Sequence, residues 1–379
     1  MNHSDSDISA RRVAEDTAVA DGGELHRRTH WAYYSEGLGL DQLIRRTPAR
    51  RALRASEVRV KVAAAAINYR DVALARGEYL SAMPRPFIPL SEGAGRVEEV
   101  AADVVDLAPG DAVLGHYTSA WIAGGFKTSF HASKVGGPLD GWLAEEIILP
   151  REALLGVPPG WSLEEAASLA ISGVTAWKAL MGDASDQALR TALTGQYVLI
   201  EGTGSVSLQA LMLAASAGAR PVVLTSRPQL GDELRRLGAY SVIGPGSLDQ
   251  RRQAILDATE GQGLELAVDV VGGDTLISLL LPLMAVRGRV AIVGFLDGGH
   301  VQGDLGGPML RGLLRLEGVS VGSRRDFEAL LAHMQRHDLR PRIAARFAPE
   351  RIRDALTHRP ESLGKTVVVM DAELASSRV

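Results

Sequence analysis

The sequence predicts an α/β protein in which a turn-rich β domain is followed by a doubly wound, parallel-sheet domain. Three observations carry that expectation. The stretch Tyr197-Val-Leu-Ile-Glu-Gly-Thr-Gly-Ser-Val-Ser207 joins an apolar run to closely spaced glycines and then to an Ala/Leu-rich segment, which reads as strand, phosphate-binding turn and helix. From there to Gly294 strand-like and helix-like segments alternate, the pattern of a parallel sheet with right-handed crossovers. Before Ser162 the chain is instead strand-like and rich in turns.

Four stretches follow in order. Residues 1–23, opening Met1-Asn-His-Ser-Asp-Ser-Asp, offer too little apolar surface to offset ordering entropy and are expected to form a disordered tail. Residues 24–158 form the first part of the β domain: Val58-Arg-Val-Lys-Val-Ala63 alternates, Gly95-Arg-Val-Glu-Glu-Val100 continues, and Pro109-Gly-Asp111 turns the chain into Ala112-Val-Leu. Residues 159–319 form the nucleotide-binding domain. It opens with the capping box Ser162-Leu-Glu-Glu165 and a long helix expected over Glu164 to Met181. Strands are expected at Tyr197–Ile200, Val222–Thr225, Ser241–Ile243, Leu264–Val271 and Arg289–Gly294, with helices near 206–217, 230–237, 248–259 and 274–284. Residues 320–379 supply amphipathic helices near Asp326–His337 and Glu350–His358 and a strand at Thr366–Met370, and are expected to return to the first domain.

Composition narrows the classes. A length of 379 residues suggests two domains, and 46% hydrophobic residues at a mean hydropathy of +0.04 suit a soluble, well-packed chain. With a net charge of −4, a pI near 6.2 and no basic block, neither nucleic acid nor an anionic membrane is an expected partner. There is no cysteine, so disulfides and thiolate metal sites are excluded. The longest apolar run, Leu276 to Val286, is interrupted by Ser278 and Pro282 and is too short to span a bilayer. With no signal-peptide pattern at the N-terminus, a cytoplasmic location is expected.

The glycine turn carries the cofactor expectation. Gly202 allows the turn, Gly204 allows a pyrophosphate to approach the backbone, and Thr203, Ser205 and Val206 complete the loop at the positive end of the next helix. The third position of the motif is Ser207, so the match is incomplete. Where an acid would hold the ribose 2′-hydroxyl of NAD, the chain reads Leu224-Thr225-Ser226-Arg227, hydroxyls and a guanidinium that can hold a 2′-phosphate. That favours NADPH, although Arg227 can also be read as a solvated surface charge. Glu201 beside the turn is unfavourable to a pyrophosphate unless it is paired or points away.

Several ordered blocks resemble one family. Ile67-Asn-Tyr-Arg-Asp71, Ile88-Pro-Leu-Ser-Glu-Gly-Ala-Gly95, Gly137-Pro-Leu-Asp-Gly-Trp-Leu-Ala-Glu145, Ser172-Gly-Val-Thr-Ala-Trp177 and Val321-Gly-Ser-Arg324, with the turn at 202–207, are similar to medium-chain dehydrogenase/reductases from Leu25 onward. The likeness is to their zinc-free alcohol dehydrogenase and quinone oxidoreductase-like branch. It implies a GroES-like catalytic domain around a Rossmann domain, an active site between them, a small-molecule substrate, and homodimers joined at the edges of their Rossmann sheets. The positions matching the catalytic zinc ligands of metal-dependent relatives are Asn68, Ser91 and Ile171, none a competent ligand there, so no zinc is expected.

Without a Lewis acid, hydrogen bonds must stabilise the developing oxyanion, and Asn68 and Tyr69 are the candidate catalytic residues. Tyr69 is read either as a proton donor or as a ring packed under the cofactor. Arg70 and Asp71 are expected to pair and fix the loop. Glu92 is expected to orient neighbouring groups, and Gly93 and Gly95 to permit close packing. By resemblance Thr175, Gly294 and Phe295 would line the nicotinamide pocket. Trp121, Phe126 and Trp142 are read as a substrate wall or as ordinary core, and His116, His131 and His300 as core or surface histidines. Two features depart from the family: the Thr225-Ser-Arg-Pro-Gln-Leu230 loop is one residue short and lacks a Lys, and Gly244-Pro245 stands where a Tyr is common. Two functions follow as expectations, a zinc-independent NADPH-dependent reductase of an enone, quinone, enoyl thioester or ketone, and a relative without redox chemistry acting in binding or cyclisation.

Overall fold

The computed structural model describes residues 30–78, 85–182 and 193–379; the expected tail at 1–23 lies outside them. A short antiparallel pair, β1 (Ala32–Ser35) and β2 (Leu43–Arg46), precedes the first large sheet. That sheet is built from β3 (Glu57–Ala66), β4 (Glu92–Val100), β5 (Ala112–Gly115), β6 (Glu146–Pro150) and β7 (Leu154–Gly156). Its centre is β3, whose Ala63–Ala66 end is fully buried. Methyl-sized side chains let neighbouring layers come close there. Trp142 fills the space above Gly93 and Gly115; a Cβ on either glycine would stand 2.4 and 2.2 Å from the indole. The indole is 1% exposed, so Trp142 is core and not an open substrate wall.

The second sheet is wholly parallel. Its strands are β8 (Tyr197–Glu201), β9 (Arg220–Leu224), β10 (Ser241–Ile243), β11 (Leu264–Asp269), β12 (Met284–Ile292) and β13 (Arg315–Gly318), in the order β10-β9-β8-β11-β12-β13. Numbered from its first strand this is 3-2-1-4-5-6, the Rossmann order, with the switch point at the C-terminal ends of β8 and β11. β8 is buried along its whole length because helices cover both faces of such a sheet.

Two expectations need correction. The helix expected over Glu164 to Met181 is two helices, Leu163–Ala166 and Ser172–Met181. It breaks where the backbone N–H of Ile171 donates to the Glu92 carboxylate at 2.7 Å and not to a helical carbonyl. The helix expected near 274–284 is a short turn, a wide π turn over Leu276–Leu280 and the stub Leu281–Leu283, after which β12 begins at Met284, well before Arg289. Pro282 has no N–H to sustain a regular ladder.

The chain then returns to the first sheet. β14 (Ile343–Phe347) lies parallel to β15 (Lys365–Val369), and β15 runs antiparallel to β3 with Val367 opposite Ala66. Glu92 sits opposite the same Ala66 from the β4 side. Three adjacent strands therefore bring Lys365, the end of β3 and Glu92 to one place.

Candidate active site

Lys365 is the centre of a buried polar network. Its ammonium pairs with Glu92 Oε1 at 2.6 Å and donates to Asn68 Oδ1 at 2.5 Å and to the Ile67 carbonyl at 3.0 Å. Lys365 is 4% exposed and Glu92 is fully buried. Burial pushes the Glu92 carboxyl up against the opposing pull of Lys365. Asn68 caps the helix Tyr69–Arg76, and its backbone N–H donates to Asp71 at 2.9 Å. Because Lys365 occupies its oxygen, the Asn68 amide is left with its Nδ2 donor, buried beside the Glu92 carboxylate.

Arg70 and Asp71 do not touch directly in this network; Ser91 stands between them. Arg70 donates to Ser91 Oγ at 2.6 Å, and that hydroxyl donates to Asp71 Oδ1 at 2.5 Å. Arg70 also holds the carbonyls of Gly136 and Gly137 at 3.1 and 2.7 Å, pinning the loop before β6. Burial raises the Asp71 carboxyl and Arg70 opposes it. At the three positions matching zinc ligands, Asn68 Oδ1 faces an ammonium, Ser91 Oγ is engaged on both sides, and Ile171 offers only an N–H to Glu92. That donor set does not fit a divalent cation. Among the described residues no group of three or more His, Asp or Glu side chains is placed to hold one.

The nucleotide domain supplies the opposite wall. Gly202 has φ of 74°, as the turn requires, and a Cβ on Gly204 would meet nothing within 4 Å. Gly204 caps the helix Ser205–Ser216 without a side-chain hydrogen bond, leaving N–H groups of the first turn free for a ligand. Ser207 donates to the Glu201 carbonyl at 2.6 Å, which is how a hydroxymethyl is accommodated at the third motif position. A cavity of about 870 Å³ is lined by Asn68, Tyr69, Thr203, Gly204, Ser205 and Arg227, together with Arg76, His358, Arg359 and Lys365. A second, of about 560 Å³, is lined by Tyr69, Arg70, the turn from Gly202 to Ser207, Ser226, Gly294 and Phe295.

Tyr69, 62% exposed, borders both spaces. Thr225 is buried and its hydroxyl accepts the Arg227 N–H at 2.9 Å. Thr175 is buried in the helix Ser172–Met181 and lines neither space. Arg227 is no free surface charge: it donates to Thr203 Oγ1 at 2.6 Å and to the Pro360 carbonyl at 3.0 Å, tying the glycine turn to the loop before β15. His116 is fully buried with its pKa pushed down to about 4 by desolvation, while His131 and His300 are exposed.

Glu201 does not face the pyrophosphate position as a free anion. It is 2% exposed and lies against the fully buried Asp269, with its Oε2 unbonded among the described residues. Asp269 in turn accepts from Val271 and Gly272 N–H at 3.0 and 2.7 Å. Burial and the neighbouring Asp269 raise the Glu201 carboxyl well above the usual range. Sequence reading flagged Glu201 but had no means of finding Asp269, sixty-odd positions away and adjacent only through the β8–β11 pairing.

The fold and this cleft define a nicotinamide-dependent oxidoreductase class. Residues 54–159 match the alcohol dehydrogenase GroES-like domain and residues 205–336 the zinc-binding dehydrogenase domain. The chain is 30% identical to a zinc-type alcohol dehydrogenase-like protein of Schizosaccharomyces pombe over 84% of its length and 92% of that protein. It is 31% identical to a quinone oxidoreductase-like protein 2 homolog of Nematostella vectensis over 72% of its length and 67% of that protein. A putative alcohol dehydrogenase from Sinorhizobium meliloti superposes with a TM-score of 0.79 at 27% identity, covering 91% of this chain and all of that one. The chain belongs to the medium-chain dehydrogenase/reductase family. Among the described residues no helix is long and apolar enough to cross a membrane.

The Glu201–Asp269 pair makes a pH prediction. A carboxyl whose folded pKa is raised contributes stability that is full below its unfolded pKa and is lost as pH rises through the folded value. Glu201→Gln keeps a donor toward Asp269 and removes the titration. Its melting temperature should therefore rise relative to the parent between pH 5 and pH 8. Thermal melts running parallel across that range would show that the Glu201 carboxyl is not raised in the folded protein.

Proposed function

We propose that the protein is a zinc-independent, NADPH-dependent reductase that delivers hydride to an activated C=C or C=O group of an enone, quinone, enoyl thioester or ketone. One observation carries the reading: a single cleft is walled by the glycine turn on one side and by the Asn68–Tyr69 loop on the other. Bound NADPH supplies the hydride. The uncapped helix end at Ser205 suits its pyrophosphate, and Arg76, Arg227 and Arg359 make the larger cavity cationic, which suits a phosphorylated ribose. Arg227 reaches that phosphate by exchanging its bonds to Pro360 and Glu361.

The chemistry at the substrate falls to this chain's own donors. Asn68 Nδ2, the donor left when Lys365 holds Oδ1, would bond an enolate or alkoxide oxygen. Tyr69 at the cleft edge supplies a second hydroxyl donor and a route for a proton from solvent. The same reading makes the open edge of β13, with Val286, Leu310 and Leu313 exposed beside it, the face for a second copy, with sedimentation as its check.

NADPH should bind more tightly than NADH, and Arg227→Ala should cost about 1–3 kcal/mol for NADPH and little for NADH, because one charge-assisted phosphate contact is lost. Calorimetric titrations giving equal affinities for the two coenzymes would refute that role. Tyr69→Phe should slow hydride transfer by about one to three orders of magnitude, with NADPH affinity nearly unchanged. Single-turnover kinetics on the best substrate of an enone and quinone panel decide the matter. An unaltered rate removes Tyr69 from the chemistry and leaves Asn68 as the donor.

A further inference from the structure

Lys134 is a buried cation with no counter-ion among the described residues. The residue is 5% exposed, and among the described residues its ammonium faces only aromatic rings, Tyr117 at 5.7 Å and Phe126 at 5.8 Å from the ring centres. The Arg70 guanidinium lies over the same Tyr117 ring at 5.0 Å. Arg70 is balanced by Asp71 through Ser91, whereas no described carboxylate balances Lys134; burial and Arg70 together push its pKa down to about 8. A ring quadrupole offsets only part of the cost of such a charge. Two further donors near it have no partner among the described residues. Arg70 Nε is buried and unbonded, and so is the hydroxyl of Thr118, the residue paired with Lys134 across an antiparallel bridge and hence on the same face.

An uncompensated ammonium, an open guanidinium N–H and an unbonded hydroxyl converge on the needs of a planar anion with several lone pairs. Arg70 also lines the smaller cavity with Gly294 and Phe295, so one member of the cluster borders the cleft where reduction is assigned. We propose that Lys134, with Arg70 and Thr118, forms a subsite for a carboxylate carried by the substrate. The substrate is then an unsaturated or carbonyl compound that is also an acid. The inference rests on the reductase reading for the place of the reacting group, but not for the binding of the acid.

Calorimetric titration of the full chain with benzoate and with benzamide, alone and in the presence of NADPH, tests it without turnover. Benzoate should bind about 10-fold or more tightly than benzamide, a difference that disappears in Lys134→Met and persists in Lys134→Arg. Circular dichroism of both variants confirms that they fold. Benzoate binding no tighter than benzamide, undetectable binding included, overturns the subsite, as does a Lys134→Met variant that weakens both probes equally. Benzoate binding beside a failure to oxidise NADPH across the substrate panel would retire the reductase reading and leave the subsite standing.

Discussion

The ion pair between Lys365 and Glu92 is the interaction on which the rest of the site depends. Both partners are buried, so neither can be lost alone without leaving an uncompensated charge, at a cost of about 3–5 kcal/mol. The pair joins four parts of the chain: the last strand, the end of β3, the start of β4 and the backbone at Ile171 that leads into the nucleotide domain. It also explains a local irregularity. The helix that sequence periodicity would carry from Glu164 to Met181 is broken because Ile171 gives its N–H to Glu92.

From that pair the geometry of the cleft follows. Lys365 fixes the Asn68 amide with its oxygen inward, so the remaining donor is Nδ2. Asp71 and Ser91 hold the same loop from the other side and set Arg70 against Tyr117. Across the cleft the glycine turn is held just as firmly. Glu201 is withdrawn beneath it by Asp269, and Arg227 ties Thr203 to the loop that precedes Lys365. The two walls are thus connected through one stretch, residues 360–365, which touches the turn at one end and the buried network at the other.

The sequence made the nucleotide domain legible because its signals are local. The apolar run before Gly202 and the strand at Ser241–Ile243 announce themselves within a few residues, whereas β12 begins at Met284, ahead of the expected Arg289. β13 escaped because Arg315-Leu-Glu-Gly318 is half polar and pairs on one side only. In the site, Asn68, Tyr69 and Ser91 were recognisable by motif, whereas Lys365 and Asp269 were not. Each acts through a partner distant in sequence, Lys365 through Asn68 at a separation of 297 residues, and no local pattern encodes such a meeting. Glu201 shows the same limit from the other side, since its oddity was visible and its resolution was not.

The account's central claim is that an ammonium and hydrogen bonds stand where related enzymes place a metal. Elemental analysis of the purified full chain, paired with NADPH consumption before and after dialysis against a chelator, tests it most directly. The account predicts no stoichiometric zinc and no change in rate on chelation. Zinc present at about one ion per chain, lost together with activity on chelation, would contradict it.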